Sequence, residues 1–321
     1  MTDNKIVVVA GPTATGKTKL GIELAKAYGG EIVSADSMQV YRRMDIGTAK
    51  ATAAERAQAP HHMLDVAEPD EDYSVARYVR EATAVCEDIL ARGKVPVVVG
   101  GTGLYIDSLV AGRDFADTAQ DDGLRQRLGA EYDTLGAEAM RERLRRIDPE
   151  RAAKLPPTDR RRIVRALEIF ELTGVTITEH DRITREKPPR FAAKRIVLNY
   201  ADRAQLYARI DARVDEMLRL GLFGEVRGLL ASGVPDTCTA MQAIGYKEAA
   251  LALRGELTEH EAAELIKQNS RRYAKRQLTW FNRAEDALRI NWGSVPDFEN
   301  ARRLSTEFLS SRAYHNADPA K

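Results

Sequence analysis

The run VVVAGPTATGKTKL, residues 7–20, constrains this chain more than any other stretch. An apolar β-branched segment runs into Gly11, a second glycine follows at Gly16, and Lys17-Thr18 opens an amphipathic stretch. Gly11, Pro12, Thr13, Ala14, Thr15, Gly16, Lys17 and Thr18 satisfy G-x-x-x-x-G-K-[ST]. In that pattern glycines let successive N–H groups turn inward as an anion nest, and the following helix adds its positive N-terminus. The lysine adds a full charge, and the hydroxyl can ligate Mg²⁺. A glycine turn that merely connects is the competing reading, and its place between strand and helix argues against it. The loop commits the chain to binding phosphate.

The rest of the sequence extends the strand–turn–helix order. Strand-like apolar runs occur at 6–9, 31–35, 95–99, 195–198 and, more weakly, 287–290. Helical periodicity occupies 18–27 and 74–91, the latter with Val75, Tyr78, Val79, Ala82, Cys86 and Ile89 on one stripe. Strand and helix in alternation predict an α/β fold, a P-loop NTPase-like parallel sheet core. Between 113 and 190 strand signals vanish and Arg-rich helices take over, which predicts a helical insertion domain. Residues 1–112 and 191–312 then form a discontinuous core, and 313–321 a flexible tail. Helices are expected at 202–220, 223–231 and from Thr258, where Thr258 and Glu261 fit a capping box.

No run of 18 apolar residues appears, and the apolar start ends in the glycine turn, so it reads as a first strand and not as a leader. Cys86 and Cys238 have no close cysteine or histidine partner, so neither a disulfide nor a zinc site is expected, both thiols are read as half-buried, and the compartment is read as cytoplasmic. The total charge is +1, unevenly spread. Residues 141–165 carry ten Arg/Lys against four acids, and 267–283 carry six and none, leaving −11 for the remainder. Such blocks suit an extended anionic partner, or else two solvated helix faces.

An NTPase holds its metal partly through a carboxylate at the end of a later strand. Here KVPVVVGGTGLY ends in Gly100, Gly101, Thr102 and Gly103, with no acid. The second strand supplies one instead, Asp36 in EIVSADSMQVY. Strand carboxyl ends share one crevice in such sheets, so the glycine loop, Asp36 and Thr102 should converge. Asp36 could hold metal, act as general base, or cap a helix. In LYARIDARVDEML, Arg213 falls on the stripe of Leu206, Ile210 and Met217, where a guanidinium needs an anion or must snorkel to the edge. In KQNSRRYAKRQLTWF, Lys267, Arg271 and Lys275 recur every four residues, as do Arg272 and Arg276. Tyr273 and Trp280 lie seven apart, which suits a phosphodiester backbone with stacked bases, or a plain core face for the aromatics.

Taken together, GPTATGKT, DSMQVYRRMDIGTAK, PHHMLDV, YSVARY, VVVGGTGLYIDSL, DRRRIVRALEIF, AIGYKE and RRYAKRQLTWF resemble the tRNA dimethylallyltransferases, or tRNA isopentenyltransferases, in that order over residues 5 to about 283. The resemblance implies a prenyltransferase whose P-loop holds the diphosphate of dimethylallyl diphosphate. The prenyl group would move to the exocyclic amine of the adenine 3′ to the anticodon, in tRNAs reading U-initial codons. It implies Asp36 as general base; Lys17, Thr18 and Arg213 as diphosphate ligands; Mg²⁺ beside Thr18; and Thr102 near the reacting centre. It places Ser37, Met38 and Gln39 on a flipped adenine. Arg125, Arg161, Arg162, Ile163, Val164 and Arg165 would lie on the tRNA, as would Gln242, Gly245, Tyr246 and Lys247, together with the basic Arg271, Arg272, Lys275 and Arg276. His61 and His62 match as structural or backbone contacts. A monomer with no membrane and no obligate protein partner is implied. One departure is Thr15, where the family commonly has Ser or Ala. The rival readings are a P-loop small-molecule kinase using ATP, and a non-catalytic RNA-binding module with a vestigial nest.

Overall fold

The computed structural model describes residues 4–113 and 121–311. The expected tail at 313–321 lies outside them. Two compact units emerge: residues 1–112 with 190–321, and residues 113–189.

The first unit runs β1 (Lys5–Ala10), α1 (Lys17–Ala27), β2 (Glu31–Ser34), α2 (Ala53–Arg56), β3 (His61–His62), α3 (Val75–Ala91), β4 (Pro96–Gly100) and α4 (Gly103–Ala111). The second holds α5 (Asp122–Leu135), α6 (Ala137–Ile147), α7 (Pro149–Lys154), α8 (Arg160–Thr173) and α9 (Ile177–Glu186). The chain then returns through β5 (Ala192–Tyr200), α10 (Arg203–Arg219), α11 (Leu222–Ala231), α12 (Tyr246–Leu253), α13 (Glu259–Phe281), β6 (Leu288–Trp292) and α14 (Phe298–Ser310).

All six strands are parallel, in the order β3-β2-β4-β1-β5-β6. A strand covered on both faces must be apolar there, and β1 from Ile6 onward and β4 are: Val8, Val9, Val97 and Val98 are essentially inaccessible. Each such side chain contributes about 1.5–3 kcal/mol. One core cluster joins Val9, Leu20 and Leu24 to Val97, Ile196, Leu198 and Leu206. On α3, Tyr78 stacks on Tyr105 of α4 at 4.1 Å and donates its hydroxyl to the Ser34 carbonyl at 3.0 Å. The capping box at Thr258 and Glu261 starts α13. Two expectations need correction. The two-residue strand β3 has no periodicity to detect, yet it pairs Ile32 with His61. Cys86 is fully buried rather than half-buried, because it shares the apolar stripe of α3, and burial pushes its thiol up to about 12.

The helical unit has its own core, built on Leu128, Met140, Leu144, Ile163 and Leu167. Its first two helices turn at Gly136, and Asp148 caps α7 while also accepting from the amide and hydroxyl of Thr178 on α9.

Candidate active site

A cavity of about 980 Å³ opens at the carboxyl ends of the strands in the α/β unit. Its floor is the glycine loop between β1 and α1. Gly16 stands at φ 80°, and a Cβ there would come within 2.6 Å of the Phe298 ring, so left-handed backbone and close packing both demand glycine. Thr15 turns away from the cavity: it is almost inaccessible, and its hydroxyl donates to the Pro12 carbonyl at 2.8 Å. Its own carbonyl accepts from the Trp292 indole at 2.9 Å. Trp292 lies 5.2 Å from the Phe298 ring, over which Lys19 sits at 4.2 Å. β6 and α14 thus brace the loop from behind, and Lys194 of β5 grips the far end of α14 through the Phe308 and Leu309 carbonyls.

Lys17 and Arg213 reach the cavity from α1 and α10. Lys17 donates to the Pro12 carbonyl at 2.6 Å. Burial and then the Arg213 guanidinium pull its ammonium down to about 7, with Asp36 pulling the other way. Burial likewise lowers Arg213, opposed by Asp36 and Glu55, although a guanidinium keeps its charge at any ordinary pH. Neither has a carboxylate within ion-pair distance among the described residues, and the Arg213 Nε is buried without a partner. Desolvated cations left in this state on a cavity wall await an anion. On α10, Leu206, Ile210 and Val214 face the core, while Arg213 and Met217 face the cavity.

Asp36 follows β2. Its Oδ1 accepts from the Met38 amide at 2.9 Å and the Gln39 amide at 3.4 Å, which fixes the carboxylate plane. Thr102 sits opposite, its hydroxyl accepting from the Ser37 amide at 3.0 Å and its own amide donating to Ala35 at 3.1 Å. The loop therefore lies beside Asp36 and the turn after β4. Gln39 serves the frame: its side chain meets Ser34 at 3.1 Å and the Thr48 carbonyl at 3.2 Å. Gln277 of α13 was missed from sequence. It bridges the Thr13 amide and the Gly101 carbonyl at 3.0 and 2.9 Å. One turn earlier, Tyr273 contacts Thr102 and Gln277, and burial beside Asp36 pushes its phenol up to about 12.

Other candidates divide. Gln242 is exposed at the cavity rim and Lys247 is exposed, whereas Tyr246 is buried and donates to Glu225 at 2.5 Å. Glu225 also accepts the amides of Asp45, Ile46 and Gly47, so Tyr246, itself on the cavity wall, shares an anchor with that loop. Gly245, at φ 98°, begins α12 with its amide on Glu248 at 2.8 Å.

On α13, Lys267 pairs with Asp215 at 2.8 Å and Arg271 with Asp211 at 2.5 Å, acids that α10 supplies. Arg272, Lys275 and Arg276 are exposed with no carboxylate partner among the described residues. Of the two readings of Trp280, base stacking or a packing face, its contacts favour packing. Its indole donates to Asp107 at 2.8 Å and its ring lies on Gly103, while Phe281 is core.

In the helical unit, Ile163 and Val164 are core, so their side chains are not available to a partner. Arg125 and Arg165 hold the buried Glu168 at 3.0 and 2.9 Å, Arg162 meets Asp159 at 3.2 Å, and Arg161 is exposed. Among the described residues no group of three or more His, Cys, Asp or Glu could hold a metal, and no helix is long and apolar enough to cross a membrane.

Comparison with known proteins identifies the relatives of the chain. The family described as IPP transferase matches residues 39–284, and that described as isopentenyl transferase matches residues 4–66. The chain is 46% identical over 312 residues to a tRNA dimethylallyltransferase of Caldanaerobacter subterraneus, covering 96% of this chain and 98% of the relative. A tRNA dimethylallyltransferase of Desulforudis audaxviator is 48% identical over 307 residues, covering 95% and 97%. Among solved structures, a tRNA isopentenylpyrophosphate transferase of Bacillus halodurans is 40% identical with TM-score 0.70, covering 96% of this chain and 97% of that one. A eukaryotic dimethylallyltransferase acting on tRNA is 29% identical with TM-score 0.80, covering 98% and 81%. With glycine loop, parallel sheet and near full-length identity all in agreement, the chain belongs to the tRNA dimethylallyltransferase, or tRNA isopentenyltransferase, family of prenyltransferases.

Proposed function

We propose that this enzyme transfers the dimethylallyl group of dimethylallyl diphosphate to the exocyclic amine of the adenine 3′ to the anticodon, in tRNAs reading U-initial codons. One observation carries the reading. Two half-buried, desolvated cations without ion-pair partners among the described residues and a braced glycine loop face Asp36, while β4 ends in glycines where a phosphoryl-transfer enzyme needs a carboxylate. The names of the relatives, and the eukaryotic neighbour acting on tRNA, support tRNA as acceptor.

The glycine loop, Lys17 and Arg213 take the diphosphate. The amine nitrogen attacks the allylic carbon, whose bond to oxygen breaks with the electron pair staying on the diphosphate. The surplus proton of the amine passes to Asp36, whose Oδ1 is engaged by two amides and whose Oδ2 is left for the proton. Lys17 and Arg213 balance the charge growing on the leaving group. Each such donor is typically worth about 10²–10³ in rate. Mg²⁺ fits this donor set, because it retains waters and takes few protein ligands beside phosphate oxygens; Thr18, on the cavity wall, would be its protein ligand. Bound there, it supplies additional positive charge to the diphosphate oxygens. The adenine reaches the cavity only when flipped from its stack. Arg272, Lys275, Arg276 and Arg161, exposed and without a carboxylate partner among the described residues, suit the RNA backbone.

The test is mass spectrometry of nucleosides after incubation with Mg²⁺, dimethylallyl diphosphate and unmodified tRNA reading a U-initial codon, beside a tube holding ATP in place of the donor. Prenylated adenosine in the first tube alone is expected. No prenylated product, with ATP consumed in the second, would return the kinase reading.

A further inference from the structure

A reaction between two substrates held by two loops depends on the distance between those loops. The donor loop follows β1 and the turn carrying Thr102 follows β4, and these neighbouring strands pair as far as Ala10 with Gly100. Beyond that point Gln277 continues the tie. Its Oε1 accepts from the Thr13 amide at 3.0 Å, and its Nε2 donates to the Gly101 carbonyl at 2.9 Å. One partner is only a donor and the other only an acceptor, so the amide has a single satisfying orientation. The residue is 5% exposed, and a Cβ on Gly101 would meet its Nε2 at 2.3 Å, so the turn is built to admit it. The turn passes the constraint onward: the Thr102 amide bonds Ala35, next to Asp36, and the Thr102 hydroxyl accepts from Ser37.

We propose that Gln277 is a positioning residue which holds the diphosphate loop and the Asp36–Thr102 turn at reacting distance. The inference rests on the transfer reaction proposed above. Gln277 carries no charge to either substrate, so its loss should spare binding and slow the step that joins them. Misplacement by about 1 Å costs on the order of 10²-fold in rate.

Gln277→Leu keeps the bulk and removes both hydrogen bonds. The expected result is a 10- to 100-fold fall in kcat and in the single-turnover rate, with KM for dimethylallyl diphosphate and for tRNA each within about twofold of the unaltered protein. Gln277→Met, unbranched like glutamine, gives the same measurement should the leucine variant not fold. Val226→Ala, in the core of α11, serves as the control that lowers Tm and leaves kcat unchanged. An unchanged kcat in Gln277→Leu, or a loss confined to KM or matched by the control, overturns the inference. Absence of transfer by the unaltered protein overturns the underlying reaction, and the inference with it.

Discussion

In the helical unit the buried Glu168 lies between Arg125 and Arg165, Arg143 reaches both Glu131 and Glu171, and Arg160 holds Asp133 at 2.7 Å. Residues 113–189 contain sixteen Arg/Lys and sixteen Asp/Glu, so the unit is formally neutral. In the α/β unit Lys17 and Arg213 share the field of Asp36 and have no ion-pair partner among the described residues. The difference separates two uses of charge. Compensated charge supports a small helical core, whereas uncompensated buried charge costs stability and is kept for a ligand.

Asp36→Asn breaks the comparison most severely. Turnover should fall by about 10²–10⁴ while tRNA affinity survives, read by single-turnover product formation beside filter binding. Wild-type turnover would remove Asp36 as the base. Arg213→Met comes next: transfer falls by about 10²–10³, yet Tm does not fall, because the variant loses a desolvated cation that has no ion-pair partner among the described residues. A drop in Tm would mean that Arg213 is compensated after all.

A salt series sharpens the contrast between exposed cations. Replacing Arg272, Lys275 and Arg276 by Ala should weaken tRNA binding and flatten log Kd against log salt by about 0.7–0.9 for each phosphate no longer neutralised. Arg145 and Arg146, both facing Glu142, should change it little. Charge reversal at Arg161 and Arg162 should weaken binding as well, and an unchanged slope would take α8 out of the interface.

The smallest effect is protonic. With its folded pKa lowered to about 7, Lys17 binds fewer protons than in the unfolded chain between about pH 7 and 10.5, so this group makes stability rise with pH in that window. A bound diphosphate restores the proton. Calorimetry of diphosphate binding in buffers of different ionisation enthalpy should show uptake approaching one proton near pH 8 and little at pH 6. Lys17→Met should abolish it.

Much of this was readable because local pattern and topology coincide. A β-branched run before Gly11 can only be a covered strand, and parallel strands gather their carboxyl ends, which brought Lys17, Asp36 and Thr102 to one place on paper. Arg213 stood out because a cation broke an apolar stripe. What escaped were relations between distant residues. The block at 141–165 looked strongly basic only because Glu131, Glu168, Glu171 and Asp181, which pair with it, lie outside that window. Gln277, neutral in a basic helix, carried no signal beyond standing four residues from Tyr273, and Tyr246 could not be told from a surface tyrosine without Glu225.

Trp292 and Phe298, which brace Thr15 and Gly16, come nearly three hundred residues after the loop they support. Synthesis proceeds from the N-terminus, so the cradle residues exist for most of translation without their backing, and β5 on one flank of β1 is also still to come. A glycine loop whose backing comes from β6 and α14 is not fully braced in a chain that stops before them. A truncated product that kept every loop but ended before α14 would therefore lack the Phe298 ring that packs on Gly16.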